Sequence, residues 1–387
     1  MNLQITQRMN GFSSFFVMEL LQRAKELEKL GKNIIHMEIG ESDMSTPVGV
    51  VNAGLEFLKK GDVKYTPAAG LPELRKKIVD YYQQTYAVDL SPERIFITPG
   101  ASGAFLLALG VVLNAGEDIL IADPCYPCNS NFVKFFGGKV NLVNVDSTTN
   151  YQMTTDQIRN NWTANSKGVI VASPSNPTGT LILDNELRKA ILEVTELGGY
   201  FFSDEIYHGL VYNKKAHSAL EFSDKAFVIN SFSKYFAMTG WRIGWLIVPE
   251  FFIESVERLA QNIFISTATH SQYAALAAFS EENLLELEVR KQAFQNRRDF
   301  LYDRLIELGF EISAKPEGAF YIYANCSRFT DDSFQFAKDL LEQVGVAVTP
   351  GKDFGENKEK SHVRFAYTAS IDKMSIAIER MERFLCR

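Results

Sequence analysis

Apolar positions along the chain change rhythm repeatedly between helical and extended spacing. Residues 13–30 carry Phe16, Met18, Leu20, Leu21, Leu27 and Leu30 at helical intervals, and Gly31 supplies the stop. The run IIHMEIG (34–40) leads into a polar turn, and Pro47 suits the first turn of the next helix. Helices expected from Pro72 and from Ala101 flank a strand, RIFIT (94–98). Further strands are predicted at DILIA (118–122), KVNLVNV (139–145), GVIVAS (168–173), GYFFSD (199–204), AFVINS (226–231) and RIGWLIV (242–248). Several of these runs are apolar almost throughout, as in strands covered on both faces. Strands separated by helices or loops predict an α/β fold with a mostly parallel sheet.

From about Asn283 the texture changes. A long charged helix (282–309) precedes AFYIYANC (319–326), another helix, VAVTPG (346–351), VRFAYT (363–368) and a terminal helix. This predicts a smaller α+β domain, joined to the large one by the long helix rather than by a Gly/Ser tether. The expected division is 1–45 as an N-terminal segment and part of the small domain, 46–284 as the large domain, and 285–387 as the small C-terminal domain. Two domains also suit the length of 387 residues, which exceeds the size at which one core stops growing.

Charge and cysteine usage narrow the field. With 40 Lys and Arg against 47 Asp and Glu, the net charge of −7 argues against a nucleic-acid partner. No apolar run approaches the roughly 20 residues that span a bilayer. The opening stretch, MNLQITQRMNGFSSFF, lacks a charged head followed by a sustained apolar segment. A cytoplasmic protein without a membrane partner is expected. Cys125 and Cys128 form a CxxC pair, but the only other cysteines are Cys326 and Cys386. Zinc would want a second close pair of ligands, and a redox pair would open a helix of a thioredoxin-like unit. The pair is read as structural, and no metal is expected.

Candidate chemistry centres on SFSKYFAMTGWRIG (231–244). Lys234 sits just past a strand, among Phe232, Tyr235, Phe236 and Trp241, where desolvation favours the neutral amine that attacks an aldehyde. Arg242 is eight residues further on, where a guanidinium can pair with phosphate beside the hydroxyls of Ser231 and Ser233. A surface turn with one Lys and one Arg would look similar, so other motifs must decide. SPSNPTG (173–179) follows one strand, and YFFSDEIYHG (200–209) spans the next.

Together with GESDM (40–44) and YTPAAGLPELR (65–75), these motifs occur in order over almost the whole chain. The sequence resembles the class I/II, fold type I pyridoxal-phosphate aminotransferases. That resemblance implies a large domain that binds pyridoxal 5'-phosphate and a Schiff base between the cofactor and Lys234. Asp204 matches the residue that keeps the pyridine nitrogen protonated, as an electron-withdrawing ring requires. Asn176 and Tyr207 match the partners of the phenolic oxygen. Ala101 and Ser102, opening a helix after TPG, would turn amides toward the phosphate, joining Ser231, Ser233 and Arg242. Tyr126 matches the aromatic side chain stacked on the ring. Tyr65 matches a tyrosine reaching the phosphate of the neighbouring subunit, which implies a homodimer with shared sites. Arg364 matches the substrate-carboxylate arginine, with Gly40 in a loop closing over the same group and Asn176 beside it.

The expected reaction moves an amino group from an L-amino acid to a 2-oxo acid, both small-molecule partners. Lys234 acts as general base, with Asp204 and Tyr207 as the other catalytic groups. A carbon–sulfur β-lyase or another eliminating enzyme on the same fold would keep nearly all of these residues and is the alternative. A cofactor-binding regulator would need an added DNA-binding module, for which the span of the resemblance leaves no room. The stretch QNIFISTATHSQ (261–272), expected to face a partner chain, contains no Arg or Lys to clamp a second carboxylate. Phe15 and Phe16 either wall the side-chain pocket or pack within the first helix. Neutral or aromatic donors are favoured on this reading.

Overall fold

Successive residues of the central strands point into two different cores, which is why those strands are apolar throughout. In the computed structural model, which describes residues 5–12 and 14–386, twelve strands are numbered in chain order. They are β1 (Ile35–His36), β2 (Ile95–Thr98), β3 (Asp118–Asp123), β4 (Lys139–Asn144), β5 (Ser166–Ala172), β6 (Tyr200–Asp204), β7 (Phe227–Ser231), β8 (Gly244–Ile247), β9 (Tyr321–Asn325), β10 (Val346–Ala347), β11 (Thr349–Pro350) and β12 (His362–Ala366). Ser13, the expected start of the first helix, and the first four residues of the opening stretch lie outside the described residues.

Seven strands form the large sheet in the order β2-β8-β7-β6-β5-β3-β4. Only β8 runs antiparallel to its neighbours β2 and β7; the rest pair in parallel. Within it Ile95, Val169, Val228 and Trp245 point to one core, while Phe96, Ile170, Ile229 and Leu246 point to the other. Helices Pro72–Tyr86 and Asp184–Glu196 cover the first face through Leu74, Ile78, Leu187 and Ile191. Helices Gly100–Gly110 and Ile253–Ile263 cover the second through Phe105, Leu107 and Val256. At roughly 1.5–3 kcal/mol per fully buried large side chain, these two layers dominate the favourable energy of folding. The edge strand β4 is the least buried of the seven and begins on an exposed lysine, Lys139, a common guard against edge pairing.

The remaining strands make two small sheets. β1 pairs in parallel with β10, and β11-β12-β9 form an antiparallel sheet. The predicted strand VAVTPG is therefore split, since Val346–Ala347 pairs with β1 and Thr349–Pro350 with β12. Of IIHMEIG only Ile35 and His36 are in a strand; Met37 still bonds Ala347 and Ala366, and beyond it the Gly40 carbonyl meets Lys234. The long charged helix is continuous over Glu281–Glu307, with Ser280 capping its start.

Candidate active site

Thr98, Ala172, Asp204, Ser231 and Gly244 all end or begin strands at one edge of the large sheet. In open α/β sheets this edge, outside the carboxyl ends of the parallel strands, is where ligands bind. Here it opens into a cavity of about 470 Å³. Every residue expected at the site lines that cavity except Tyr65: Gly40, Ala101, Ser102, Tyr126, Asn176, Asp204, Tyr207, Ser231, Ser233, Lys234, Arg242 and Arg364. Tyr65 is 80% exposed on the outside of its own chain.

Lys234 enters from the turn after β7. Its Nζ donates to the Gly40 carbonyl at 2.7 Å and lies 5.6 Å from the Phe320 ring centre and 6.0 Å from that of Tyr207. Gly40 has no room for a side chain, because a Cβ there would stand 1.8 Å from the Tyr321 hydroxyl oxygen. Asp204 ends β6 with its carboxylate buried. One backbone donor reaches it, from Ile206 at 3.2 Å. Burial pushes its pKa up to about 7, against the opposing pull of that N–H and of the Lys234 charge. A buried carboxylate so thinly supplied with donors is a ready acceptor for a cationic ring nitrogen.

An anion cradle lies beside it. Helix Gly100–Gly110 starts without a side-chain cap, leaving first-turn amides for a ligand. Ser231 Oγ donates to Ser233 Oγ at 2.9 Å and accepts from the Ser233 amide at 3.1 Å, which keeps both hydroxyls together. Arg242 adopts a left-handed backbone, with φ of 51°, before β8. Its guanidinium donates to the Thr239 carbonyl at 3.0 Å and packs on Gly100, where a Cβ would meet Nη2 at 2.7 Å. Gly100 itself has φ of +69°, so both conformation and space require glycine there. Two hydroxyls, open amides and a guanidinium match the needs of a phosphate monoester.

Arg364, in β12, reaches the cavity's far side and is 5% exposed. It donates to Asn176 Oδ1 at 2.8 Å, the Glu38 carbonyl at 2.6 Å and Thr349 Oγ1 at 3.1 Å. All three acceptors are uncharged, and its Nε has no partner. The guanidinium also lies 4.1 Å from the Tyr321 ring centre and 4.9 Å from that of Phe354. A buried cation with neutral partners and a spare donor has the chemistry to receive a carboxylate.

Tyr321, Thr349, Asp353 and Phe354 were not singled out from the sequence. Tyr321 donates to or accepts from the Tyr207 hydroxyl at 2.9 Å and underlies Arg364. Its place follows from the β9–β12 register, which no local pattern announces. Phe15 lines the cavity, whereas Phe16 packs edge-on against Phe334 at 4.8 Å. Cys125 and Cys128 are both free thiols, buried and partly buried.

A cofactor aldehyde, its phosphate and a substrate carboxylate thus find complementary groups in one cavity, as in an amino-group-transferring enzyme. Comparison with known proteins places the chain. Residues 32–381 match the family "Aminotransferase class I and II". The chain is 39% identical over 384 residues to the (5-formylfuran-3-yl)methyl phosphate transaminase of Methanocaldococcus jannaschii, covering 98% of this chain and 99% of that one. It is 36% identical over 377 residues to a valine–pyruvate aminotransferase of Mycobacterium tuberculosis, covering 97% of each. Its fold superposes on the crystal structure of an aminotransferase from Mycobacterium tuberculosis with a TM-score of 0.96, at 34% identity and complete coverage of both chains. The chain belongs to the class I and II aminotransferases, a pyridoxal-phosphate-dependent family. It is an aminotransferase of fold type I.

Proposed function

We propose that Lys234 is the amine that holds pyridoxal 5'-phosphate in this chain and moves the donor's α-proton. The observation that carries this reading is the convergence, in one cavity, of the Lys234 amine, the buried Asp204 carboxylate and the Arg242 cradle. Bound there, the cofactor supplies an electron-withdrawing ring that stabilises negative charge at the substrate α-carbon. Asp204 would hold the ring nitrogen in its cationic form, and that pairing of charge would offset the cost of the carboxylate's burial. Asn176 and Tyr207 would hold the phenolic oxygen, and Tyr126, which lines the same cavity, would pack against the ring. Ser231, Ser233, Arg242 and the amides of Ala101 and Ser102 hold the phosphate. Arg364 orients the donor's α-carboxylate, with Gly40 and Asn176 beside it. Lys234 Nζ, exchanging its bond to the Gly40 carbonyl for substrate, accepts and returns the α-proton as general base and acid.

The same reading puts Tyr65 in the neighbouring chain's phosphate cradle, so the working unit is a homodimer with shared sites. Its 80% exposure supports this, as do the neighbouring exposed Leu58, Val63 and Ile265. Thr269 Oγ1, donating to the Lys64 carbonyl at 2.6 Å, ties the segment 261–272 to the same face. The large domain is taken as 46–284, with 1–45 and 285–387 forming the flanking segment and small domain. No helix among the described residues is long and apolar enough to cross a membrane. Four free cysteines suit the reducing cytoplasm. Borohydride treatment of the cofactor-loaded enzyme, followed by peptide mass analysis, tests the central assignment. One adduct on Lys234, absent from Lys234→Ala, is expected; an adduct on a different lysine, or one retained in the variant, refutes it.

A further inference from the structure

We infer that the donor's side chain is received by an apolar wall of Phe15, Val17, Met18 and Leu21, latched in place by Asp353, and that the substrates are amino acids with large uncharged side chains rather than dicarboxylic ones. The inference rests on the reading of Arg364 as the α-carboxylate site. Three cations line the cavity, Lys234, Arg242 and Arg364, and each already has work there. The other charged side chains that line it, Glu38, Glu41, Asp204 and Asp353, are acids. A second carboxylate on the substrate would be desolvated beside like charge with no further cation among this chain's described cavity residues to receive it, which is costly. The segment 261–272, proposed to face the neighbouring chain, supplies no Lys or Arg either.

The wall is held by geometry as well as by apolar contact. Asp353 follows β11, whose Thr349 binds Arg364, and it is 7% exposed. Its two carboxylate oxygens accept from the backbone amides of Phe16 and Val17, each at 2.7 Å. Those amides open helix Phe16–Lys29, which has no side-chain cap of its own, so a carboxylate from far along the chain satisfies them. Phe354, next to the latch, stands over the Arg364 guanidinium. Arg364, the latch and the wall are thus one connected unit, with Val17 and Phe354 lining the same cavity as the Arg364 guanidinium.

The test uses cofactor-loaded enzyme and two unreactive carboxylates, 3-phenylpropanoate and maleate, with affinities read by calorimetry. Alongside, kcat/KM is measured for phenylalanine, leucine, alanine and aspartate. Phenylpropanoate should bind at least about tenfold more tightly than maleate, and phenylalanine and leucine should exceed aspartate by at least about tenfold, the discrimination typical of apolar pockets. Asp353→Ala should raise KM for phenylalanine about tenfold more than it raises KM for alanine, whose methyl group is too short to fill the wall. Asp353→Asn, keeping one acceptor, should show a smaller effect in the same direction. Equal or tighter binding of maleate overturns the inference, as does aspartate turnover matching phenylalanine. A loss in Asp353→Ala that is equal for alanine and phenylalanine removes the latch. Should Asp353→Ala fail to fold, Asp353→Asn and the carboxylate affinities still decide. If no donor reacts while phenylpropanoate binds far better than maleate, the wall stands and the Lys234 assignment is what fails.

Discussion

At Asp204 a single side chain carries both a structural cost and a chemical use. Its pKa of about 7 lies above the ordinary carboxylate value because burial penalises the charge. The folded protein without cofactor therefore holds the proton more tightly than the unfolded chain, and stability falls as pH rises from about 4 to about 7. Replacing Asp204 with Asn should make the cofactor-free protein more stable than the parent at pH 8, with the advantage fading below pH 4. Thermal denaturation of the two proteins across that range checks the sign. The same substitution removes the proposed partner of the ring nitrogen, so turnover should drop by about 10²–10³-fold, as when a preorganised charge partner is lost. Lower stability of the variant at pH 8, or unchanged turnover, would contradict the assigned role.

At the scale of elements, the segment 35–40 couples three parts of the molecule. Ile35 donates to the Gly345 carbonyl at 2.8 Å, and Met37 donates to that of Ala347 at 3.0 Å while its own carbonyl accepts from Ala366. The Glu38 carbonyl then holds Arg364 and Thr349, and the Gly40 carbonyl meets Lys234. His36 anchors this thread from outside, bonding Glu38 at 2.7 Å and Glu28 at 3.1 Å. Its pKa rises to about 9, chiefly through the bond to Glu38. The folded value lies above the unfolded one, so this stabilisation is complete below about pH 6.5 and is lost as pH passes 9. Because about a third of the imidazole is exposed, solvent screening reduces the effect to about 1 kcal/mol. Denaturant midpoints of the parent and His36→Ala should differ at pH 6 and converge at pH 10. A difference that persists at pH 10 would trace the effect to packing rather than charge.

Across the whole molecule, the shared-site dimer is what Tyr65 tests. Tyr65→Phe removes one hydroxyl, and cofactor affinity should weaken by on the order of 1 kcal/mol, the worth of one hydrogen bond. A mixed dimer of one Lys234→Ala chain and one Tyr65→Phe chain distinguishes the two arrangements. If Tyr65 crosses between subunits, both substitutions fall in the site around the Lys234→Ala chain, and the lysine-containing site keeps native cofactor affinity. Weakened affinity in the lysine-containing site, or an active monomer, would exclude the shared site.

Most of the large sheet was legible from sequence because its strands are local apolar runs with two buried faces, and periodicity reports burial directly. Motif residues such as Lys234, Asp204 and Asn176 were legible because each follows a strand in a string too particular for a plain turn. The first helix was expected from Ser13, and among the described residues it begins at Phe16; that start is made by Asp353, over 300 residues away, which no local signal shows. The splitting of 346–351 between two sheets and the placing of Tyr321 beneath Arg364 likewise depend on strand register. The chain's own residues determined the two-faced sheet, the turn into the uncapped helix Gly100–Gly110 and the chemical identity of each polar group. Tertiary structure alone decided which of those groups share a cavity, which carry no partner, and which apolar side chains wall it, because these depend on contacts between segments far apart in sequence.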